Sequence, residues 1–232
     1  MSNNIELLIL LRRIAFGTEC IAAVTGLFFL FNHRIKGALR WFPVFLTYIF
    51  LNDLIGLKTK PLFPNANNLI LYNISTTITF IFIFYIYYQY CRKQTNKRLI
   101  LLFLSLYIST LFIAGWIENY LHQLQSIPFL LGSLLLMTSI IFYYIELLKT
   151  EQTQEITRDL LFWISAGLLI YYIGKTPFRV VRDYYANLSM SDHSILFILN
   201  SILTIIMNSC FIIGFIMNKK QLPLIKNEDM HT

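Results

Sequence analysis

A chain of 232 residues in which 56% are hydrophobic and 13% are charged does not have the composition of a soluble domain, where about a quarter of the residues carry charge. The length accommodates about seven membrane-spanning helices of about 20 residues and excludes a separate soluble catalytic domain. The net charge of +7 does not indicate nucleic-acid binding, because the basic residues stand in short clusters between apolar segments, where they orient helices and meet anionic lipid.

Seven apolar segments follow one another along the chain, separated by short polar stretches. Because lipid cannot satisfy exposed backbone groups, each segment is predicted as a helix. We expect an all-α integral membrane protein, a seven-transmembrane helix bundle that forms a single domain over residues 1–232. The predicted spans are residues 14–31, 41–57, 69–90, 99–121, 127–148, 160–174 and 194–217.

The first span is predicted to begin after two adjacent arginines, Arg12 and Arg13. Within the bilayer each would cost about 2.5–3.5 kcal/mol on insertion scales. We therefore expect residues 5–11 to lie at the outer interface or to dip into the bundle.

The distribution of basic residues predicts the orientation. With the N-terminus outside and the C-terminus in the cytoplasm, twelve of the 19 lysines and arginines fall on the cytoplasmic side and seven on the outer side. Cytoplasmic loops carry such an excess. Aromatic residues at both predicted interfaces, such as Trp41 and Trp116, are typical of membrane anchoring.

Polar residues within the spans predict a ligand pocket in the outer half of the bundle, because ionisable groups in a bilayer are costly. On the seventh span the candidates follow the three- and four-residue spacing of one helical face; on the third, Asn73, Thr76, Thr77 and Ile81 form a similar stripe. The alternative is that asparagines and threonines only hydrogen-bond helices together, and that the charged groups face headgroups separately. The candidates are Glu19, Asp53, Asn73, Glu118, Lys175, His193, Asn200, Thr204 and Asn208.

Familiar catalytic patterns are missing from the sequence. The four histidines are scattered, with no H-E-x-x-H pair, and no G-x-S-x-G occurs. The predicted last span contains no lysine that could hold retinal, and the three cysteines suggest no disulfide. We predict no catalytic residue, no metal site and no cofactor; enzymatic activity stays open, with a non-enzymatic role favoured.

Three stretches carry a resemblance to a known group. They are Leu71-Tyr72-Asn73-Ile74, residues 162–174 (FWISAGLLIYYIG), and His193-Ser194-Ile195-Leu196 with Asn200 and Asn208. With them, residues 69–215 resemble the uncharacterised small seven-transmembrane proteins of Bacteroidota-type bacteria. In that group His and Glu are expected where this chain has Asn73 and Thr79, which counts against acid–base chemistry in the third span.

A looser likeness connects the chain to the seven-span sensor modules of histidine kinases. The resemblance implies a sensor or accessory signalling protein in the bacterial inner membrane. It would bind a small or amphiphilic ligand and act through a cytoplasmic or membrane signalling partner. The alternatives are a small-solute transporter or channel, and a structural or assembly subunit of a membrane complex.

Overall fold

The computed structural model describes residues 2–30, 37–62, 68–120, 123–149, 153–184 and 190–219. In these ranges the chain forms seven α-helices and two short 3₁₀ turns, Gly37–Trp41 and Thr153–Arg158, and no strand. The α-helices are α1 (Ser2–Leu30), α2 (Phe42–Leu62), α3 (Leu69–Tyr90), α4 (Gln94–Ala114), α5 (Ile127–Leu148), α6 (Leu160–Tyr184) and α7 (Met190–Lys219).

Six helical segments within the described residues are long and apolar enough to cross a membrane, which indicates a multi-pass membrane protein. They are Gly37–Lys58, Leu69–Tyr90, Gln94–Ala114, Ile127–Leu148, Leu160–Val180 and Ser194–Asn218. Helix α1 is not among them; it carries Glu6, Arg12, Arg13 and Glu19.

Successive helices run in opposite directions. Helices α1, α3, α5 and α7 begin at one end, here called the N-terminal end of the bundle, and finish at the other, the C-terminal end. Helix α1 packs between α2 and α7, and α7 also packs along α6. Helix α3 contacts α4 and α5, and α5 contacts α6. The result is a ring of helices that closes where α7 meets α1.

The C-terminal end of the bundle is tightly filled. Phe84, Tyr87 and Phe215 are fully buried there, and the Tyr87 hydroxyl and the Ser165 Oγ form a 2.8 Å hydrogen bond that joins α3 to α6. Helix α5 is fastened to the α3–α4 turn by Glu146, whose carboxylate accepts hydrogen bonds from the backbone N–H groups of Arg92 and Lys93.

Helices α6 and α7 approach closely because glycines occupy their contact. A Cβ on Gly167 would lie 3.0 Å from both the Met207 carbonyl oxygen and the Cys210 Cβ, and a Cβ on Gly214 would lie 2.8 Å from the Trp163 Cβ. Alanine at Gly214 would force a neighbour to shift, because real Cβ atoms essentially never approach to under 3.0 Å, and alanine at Gly167 would press on α7. Small residues thus allow the two helices to approach closely.

Two predicted spans match their helices at both ends: residues 69–90 are α3 and residues 127–148 are α5. The other boundaries need correction. Helix α1 begins at Ser2, so residues 5–11 continue the first helix rather than preceding it. Helix α4 ends at Ala114, not at residue 121, because the chain turns from Gly115 onwards.

The last two helices exceed their predicted ranges. Helix α6 continues to Tyr184 with Pro177 inside it, and α7 extends from Met190 to Lys219. Pro177 lacks the backbone N–H for an intrahelical hydrogen bond, yet α6 continues beyond it to Tyr184. The predicted second span lies inside the segment Gly37–Lys58.

Candidate functional site

A cavity of about 370 Å³ opens between the helices and is lined by residues from all of them except α4. It follows α2 from Leu57 down to Phe42, a path of about 22 Å at 1.5 Å per residue. Its volume falls at the small end of the range of about 300–1,000 Å³ that is typical of ligand sites. A cavity framed by six helices can hold a small organic molecule.

Each helix contributes one face to the cavity. On α3 the lining residues are Tyr72, Ser75, Thr76, Thr79 and Ile83, a series of three- and four-residue steps that places them along a single stripe. The same spacing holds on α7, whose lining residues are Phe197, Asn200, Ser201, Thr204, Met207, Asn208 and Phe211.

Four charged side chains line the N-terminal end of the cavity, and their formal charges cancel. Arg12 and Glu19 come from α1, Asp53 from α2 and Lys175 from α6. The Glu19 and Asp53 carboxyl groups lie within hydrogen-bonding reach of one another, and the charge of Lys175 acts on both. The charge of Arg12 acts on Asp53. Acidic and basic groups thus meet in one place.

Lys175 is held in position by aromatic side chains. Its Nζ donates a hydrogen bond to the Tyr171 hydroxyl, one turn earlier on α6. The same atom lies 4.6 Å from the centroid of the Tyr171 ring and 5.7 Å from that of Phe129 on α5. Such cation–π contacts, together with the hydrogen bond, hold the amine at this position in the cavity.

Four polar side chains in the middle of the cavity wall donate hydrogen bonds to the backbone of their own helices. The hydroxyls of Thr76, Thr79 and Thr204 each donate to the carbonyl oxygen four residues earlier in their own helix, at 2.8–2.9 Å. The Asn208 side-chain amide likewise donates to the Thr204 carbonyl oxygen at 3.0 Å. Because each hydroxyl proton points back to its helix, the threonine oxygens are left as hydrogen-bond acceptors, and the Asn208 amide keeps a second N–H donor.

The deepest part of the cavity is apolar. Phe42, Ile83, Leu168 and Phe211 line it and are each at most 4% exposed. The rings of Phe42 and Phe211 meet edge to face, with their centroids 5.2 Å apart. Burying the apolar part of a ligand against such a surface is worth about 25 cal/mol per Å², so the floor favours an aromatic or aliphatic group.

Six of the predicted pocket residues line this cavity: Glu19, Asp53, Lys175, Asn200, Thr204 and Asn208. Thr204 and Asn208 are buried, whereas Asn200 lies on the lining with much of its side chain exposed. His193 belongs to α7, but its side chain lies outside the described residues.

Asn73 does not line the cavity and needs correction as a pocket candidate. Its side chain turns towards the segment between α4 and α5. The Nδ2 atom donates to the carbonyl oxygens of Tyr120 and Gln123, at 2.9 and 2.8 Å, and Oδ1 accepts the Gln125 N–H at 3.0 Å. These contacts fasten the segment to α3. Of the predicted stripe on α3, Thr76 lines the cavity, whereas Asn73 and Thr77 face this segment, where Thr77 contacts Gln125. Asn73 and Thr77 thus fit the alternative that such residues hydrogen-bond parts of the bundle together.

Glu118 also lies elsewhere. It was expected at the outer end of the fourth helix, but it follows the end of α4 and its carboxylate accepts the backbone N–H groups of Ser126 and Ile127, both at 3.0 Å at closest. The first N–H groups of a helix have no intrahelical partner, and a carboxylate there also suits the helix dipole. Glu118 therefore caps α5 and does not reach the cavity.

Several lining residues were not among the predicted candidates, notably Arg12, Tyr72, Ser75, Thr79 and Tyr171. Their spacing along the helices would have identified most of them. Tyr72, Ser75 and Thr79 fall at the spacing of one α3 face, and Tyr171 precedes Lys175 by one turn. Arg12 was expected at the outer interface or in a segment that dips into the bundle, from which it could join the pocket, and it lines the cavity.

Comparison of the chain with family models, with curated proteins and with solved structures finds no match. In the described part of the chain, no three histidine, cysteine, aspartate or glutamate side chains gather as a metal site would require. The cavity itself is therefore the feature from which a function can be argued.

Proposed function

We propose that this chain is a sensor or accessory signalling protein of the bacterial inner membrane, and that the cavity binds its ligand. The observation that carries the proposal is a cavity with charged groups at one end and an apolar floor at the other, built from six helices. A ligand that contacts six helices can change how they pack against one another, which is how ligand binding biases a conformational equilibrium.

The packing of the C-terminal end supports a sensor over a channel. Below the cavity floor the bundle is filled by fully buried side chains such as Phe84 and Phe215, and the Tyr87–Ser165 hydrogen bond crosses it. A transporter or channel would be supported by polar groups on both sides of the midplane. Here the ionisable groups of the lining stand at the N-terminal end.

In this proposal α1 is a seventh span, with its N-terminus outside and the C-terminus of the chain in the cytoplasm. Arg12 and Glu19 line the cavity, so their charges need not face lipid. The exposed side of α1 carries apolar residues that include Leu10, Ile21 and Phe28. The excess of basic residues on the opposite side of the membrane supports this orientation.

The orientation is tested by fusing a reporter enzyme that is active only in the cytoplasm. Fusion after Lys219 should give an active reporter, and insertion between residues 184 and 190 should give an inactive one. The reverse pattern, or activity at both positions, would contradict the seven-span arrangement.

The sensor role is tested in cells by filling the cavity. Thr79 lines it, and a Thr79→Phe substitution should reproduce the transcriptional changes caused by deletion of the gene. Ser105→Phe is the matched control, because Ser105 is exposed on α4, the helix that contributes nothing to the lining. Both variants must reach the wild-type amount in the membrane, measured by immunoblot.

If cells with Thr79→Phe have the wild-type transcript pattern while those with the gene deleted do not, the cavity is not the sensory site. If deletion changes the cellular content of a solute and leaves transcription unaltered, the chain is a transporter and the sensor proposal fails.

A further inference from the structure

We propose that the cavity recognises a zwitterionic amphiphile, a small molecule with an ammonium group and an acidic group a few bonds apart and one apolar body. This inference rests on the proposed function, because it names the ligand class of the same cavity. It follows from where the acidic and basic side chains lie, which hydroxyl protons the helices already use, and where the apolar surface lies.

The ammonium position is indicated by two carboxyl groups that converge from different helices. Glu19 on α1 and Asp53 on α2 lie within hydrogen-bonding reach of each other. Two carboxylates this close repel one another unless a proton or a cation lies between them. A ligand ammonium supplies three N–H donors and one positive charge, so it can donate to both carboxylates.

The acid position is indicated by the two basic residues beside that pair. Arg12 lines the cavity at its N-terminal end and acts electrostatically on Asp53. The guanidinium offers a planar fork of donors that matches a carboxylate or phosphate. Lys175 stands on the opposite wall on α6, where Tyr171 and Phe129 fix its position.

The equal number of acidic and basic groups argues against a ligand with a single charge. A lone cation would interact favourably with Glu19 and Asp53, but it would also lie next to Arg12 and Lys175. A lone anion would interact favourably with Arg12 and Lys175, but it would also lie next to Glu19 and Asp53. A zwitterion satisfies both pairs, and desolvated charges are stable in a low-dielectric site only when they are paired.

The remaining contacts define the body of the ligand. The walls beyond the charged end offer acceptor oxygens from Thr76, Thr79 and Thr204, and the floor is formed by Phe42 and Phe211. A molecule with its charged head near Asp53 and a ring or short alkyl chain directed at Phe211 would follow the long axis of the cavity. At about 370 Å³ the cavity has no room for a lipid with two full-length acyl chains.

The test uses three probes that share one aromatic body and differ only in charge. Phenylalanine carries both charged groups, phenethylamine lacks the carboxylate, and 3-phenylpropanoate lacks the ammonium. Binding to the full chain in phosphatidylglycerol nanodiscs is measured by titration calorimetry. We expect phenylalanine to bind about tenfold more tightly or better than either of the others, because each one leaves a charged pair of the site unmatched. Hexylphosphoethanolamine, whose primary ammonium has three N–H donors, is a fourth probe with the zwitterionic headgroup of a lipid.

Two variants should separate the contributions of the ligand's charges. In Asp53→Asn, phenylalanine should lose its advantage over 3-phenylpropanoate and keep its advantage over phenethylamine. In Arg12→Gln, phenylalanine should lose its advantage over phenethylamine and keep its advantage over 3-phenylpropanoate. Thr79→Phe should remove the binding of all probes, whereas Ser105→Phe should retain it. Gel filtration of each variant in nanodiscs reports whether it is folded.

The outcomes separate the ligand class from the sensor role. If phenethylamine or 3-phenylpropanoate binds as tightly as phenylalanine and Thr79→Phe prevents it, the zwitterion proposal is overturned while the cavity still binds ligands. If hexylphosphoethanolamine binds and phenylalanine does not, the zwitterion proposal is supported and a lipid headgroup is assigned as the source of the ligand. If none of the four probes binds, the zwitterion proposal is rejected; the cellular Thr79→Phe experiment, which needs no ligand, then decides the sensor role independently.

Discussion

The same glycine-to-alanine change should have opposite effects at two helical positions, Gly132 on α5 and Gly17 on α1. At Gly132 a Cβ would lie 2.9 Å from two atoms of the Tyr107 ring and 3.2 Å from the Phe80 ring. Both rings are fully buried, so neither can retreat into open space. At Gly17 no atom lies within 4 Å of the Cβ position.

The two effects can be estimated separately. Alanine in place of a helical glycine stabilises a helix by about 0.5–1 kcal/mol, and this gain applies at both sites. Overpacking a well-filled core costs about 1–3 kcal/mol, which applies only at Gly132. Gly17→Ala should therefore stabilise the protein slightly, and Gly132→Ala should destabilise it by about 1–2 kcal/mol. For a chain of this size, 1 kcal/mol corresponds to about 2–4 °C in Tm.

The assay is far-UV circular dichroism of the purified variants in detergent micelles, heated at one fixed rate because such transitions depend on scan rate. The apparent Tm should rise or stay constant for Gly17→Ala and fall by about 2–8 °C for Gly132→Ala. A Gly132→Ala variant that melts at or above the wild-type temperature would refute the close packing of α5 against α3 and α4.

Three further predictions concern residues outside the cavity. Asn73→Ala should lower the free energy of unfolding by about 2–3 kcal/mol, because it leaves backbone groups of the α4–α5 segment without partners; an unchanged thermal midpoint would contradict this. Glu146→Gln should lower the free energy of unfolding by about 2 kcal/mol, since an amide donor replaces one oxygen that accepts a backbone N–H. Urea unfolding in micelles measures this change, and wild-type resistance would contradict the role of Glu146 in joining α5 to the α3–α4 turn. Burial raises the pKa of the Cys91 thiol to about 12, so at pH 8 about one thiol in ten thousand is the reactive thiolate. With Cys20 and Cys210 replaced by serine, N-ethylmaleimide should label the protein only after unfolding, and rapid labelling of the folded protein at pH 8 would show that the thiol is accessible.

The sequence allows accurate prediction where a helix contains no charged residue or carries one only in its last turn. Helices α3 and α5 are such segments, and both predicted ranges were confirmed. The ends of a helix were harder to predict where it carries charged residues. The first span was predicted to begin at residue 14 because Arg12 would be costly in lipid, whereas the helix itself begins at Ser2 and Arg12 lines the cavity.

The sequence identified some residues of the candidate site and placed others in it that lie elsewhere. Helical spacing and the cost of intramembrane charge indicate Glu19, Asp53 and Lys175, all of which line the cavity; their role in binding stays a prediction. The same reasoning cannot tell a polar residue that faces a cavity from one that fastens a loop. Asn73 and Glu118 bond to backbone groups of Tyr120, Gln125 and Ile127. Because these residues lie in or next to a loop, the spacing of residues along a helix does not predict their position.

The polar residues of this protein fall into two sets with different evolutionary freedom. Asn73, Glu118 and Glu146 bond to backbone groups of other segments, so replacing any of them leaves those groups without partners. The hydroxyls of Thr76 and Thr204, by contrast, bond only to carbonyl groups of their own helix, which already take part in the helical ladder. Substitutions at these two positions can change what the cavity accepts at little cost in stability. Proteins with this fold could therefore change the shape and polarity of the cavity through substitutions in its wall, without first needing a compensating mutation elsewhere.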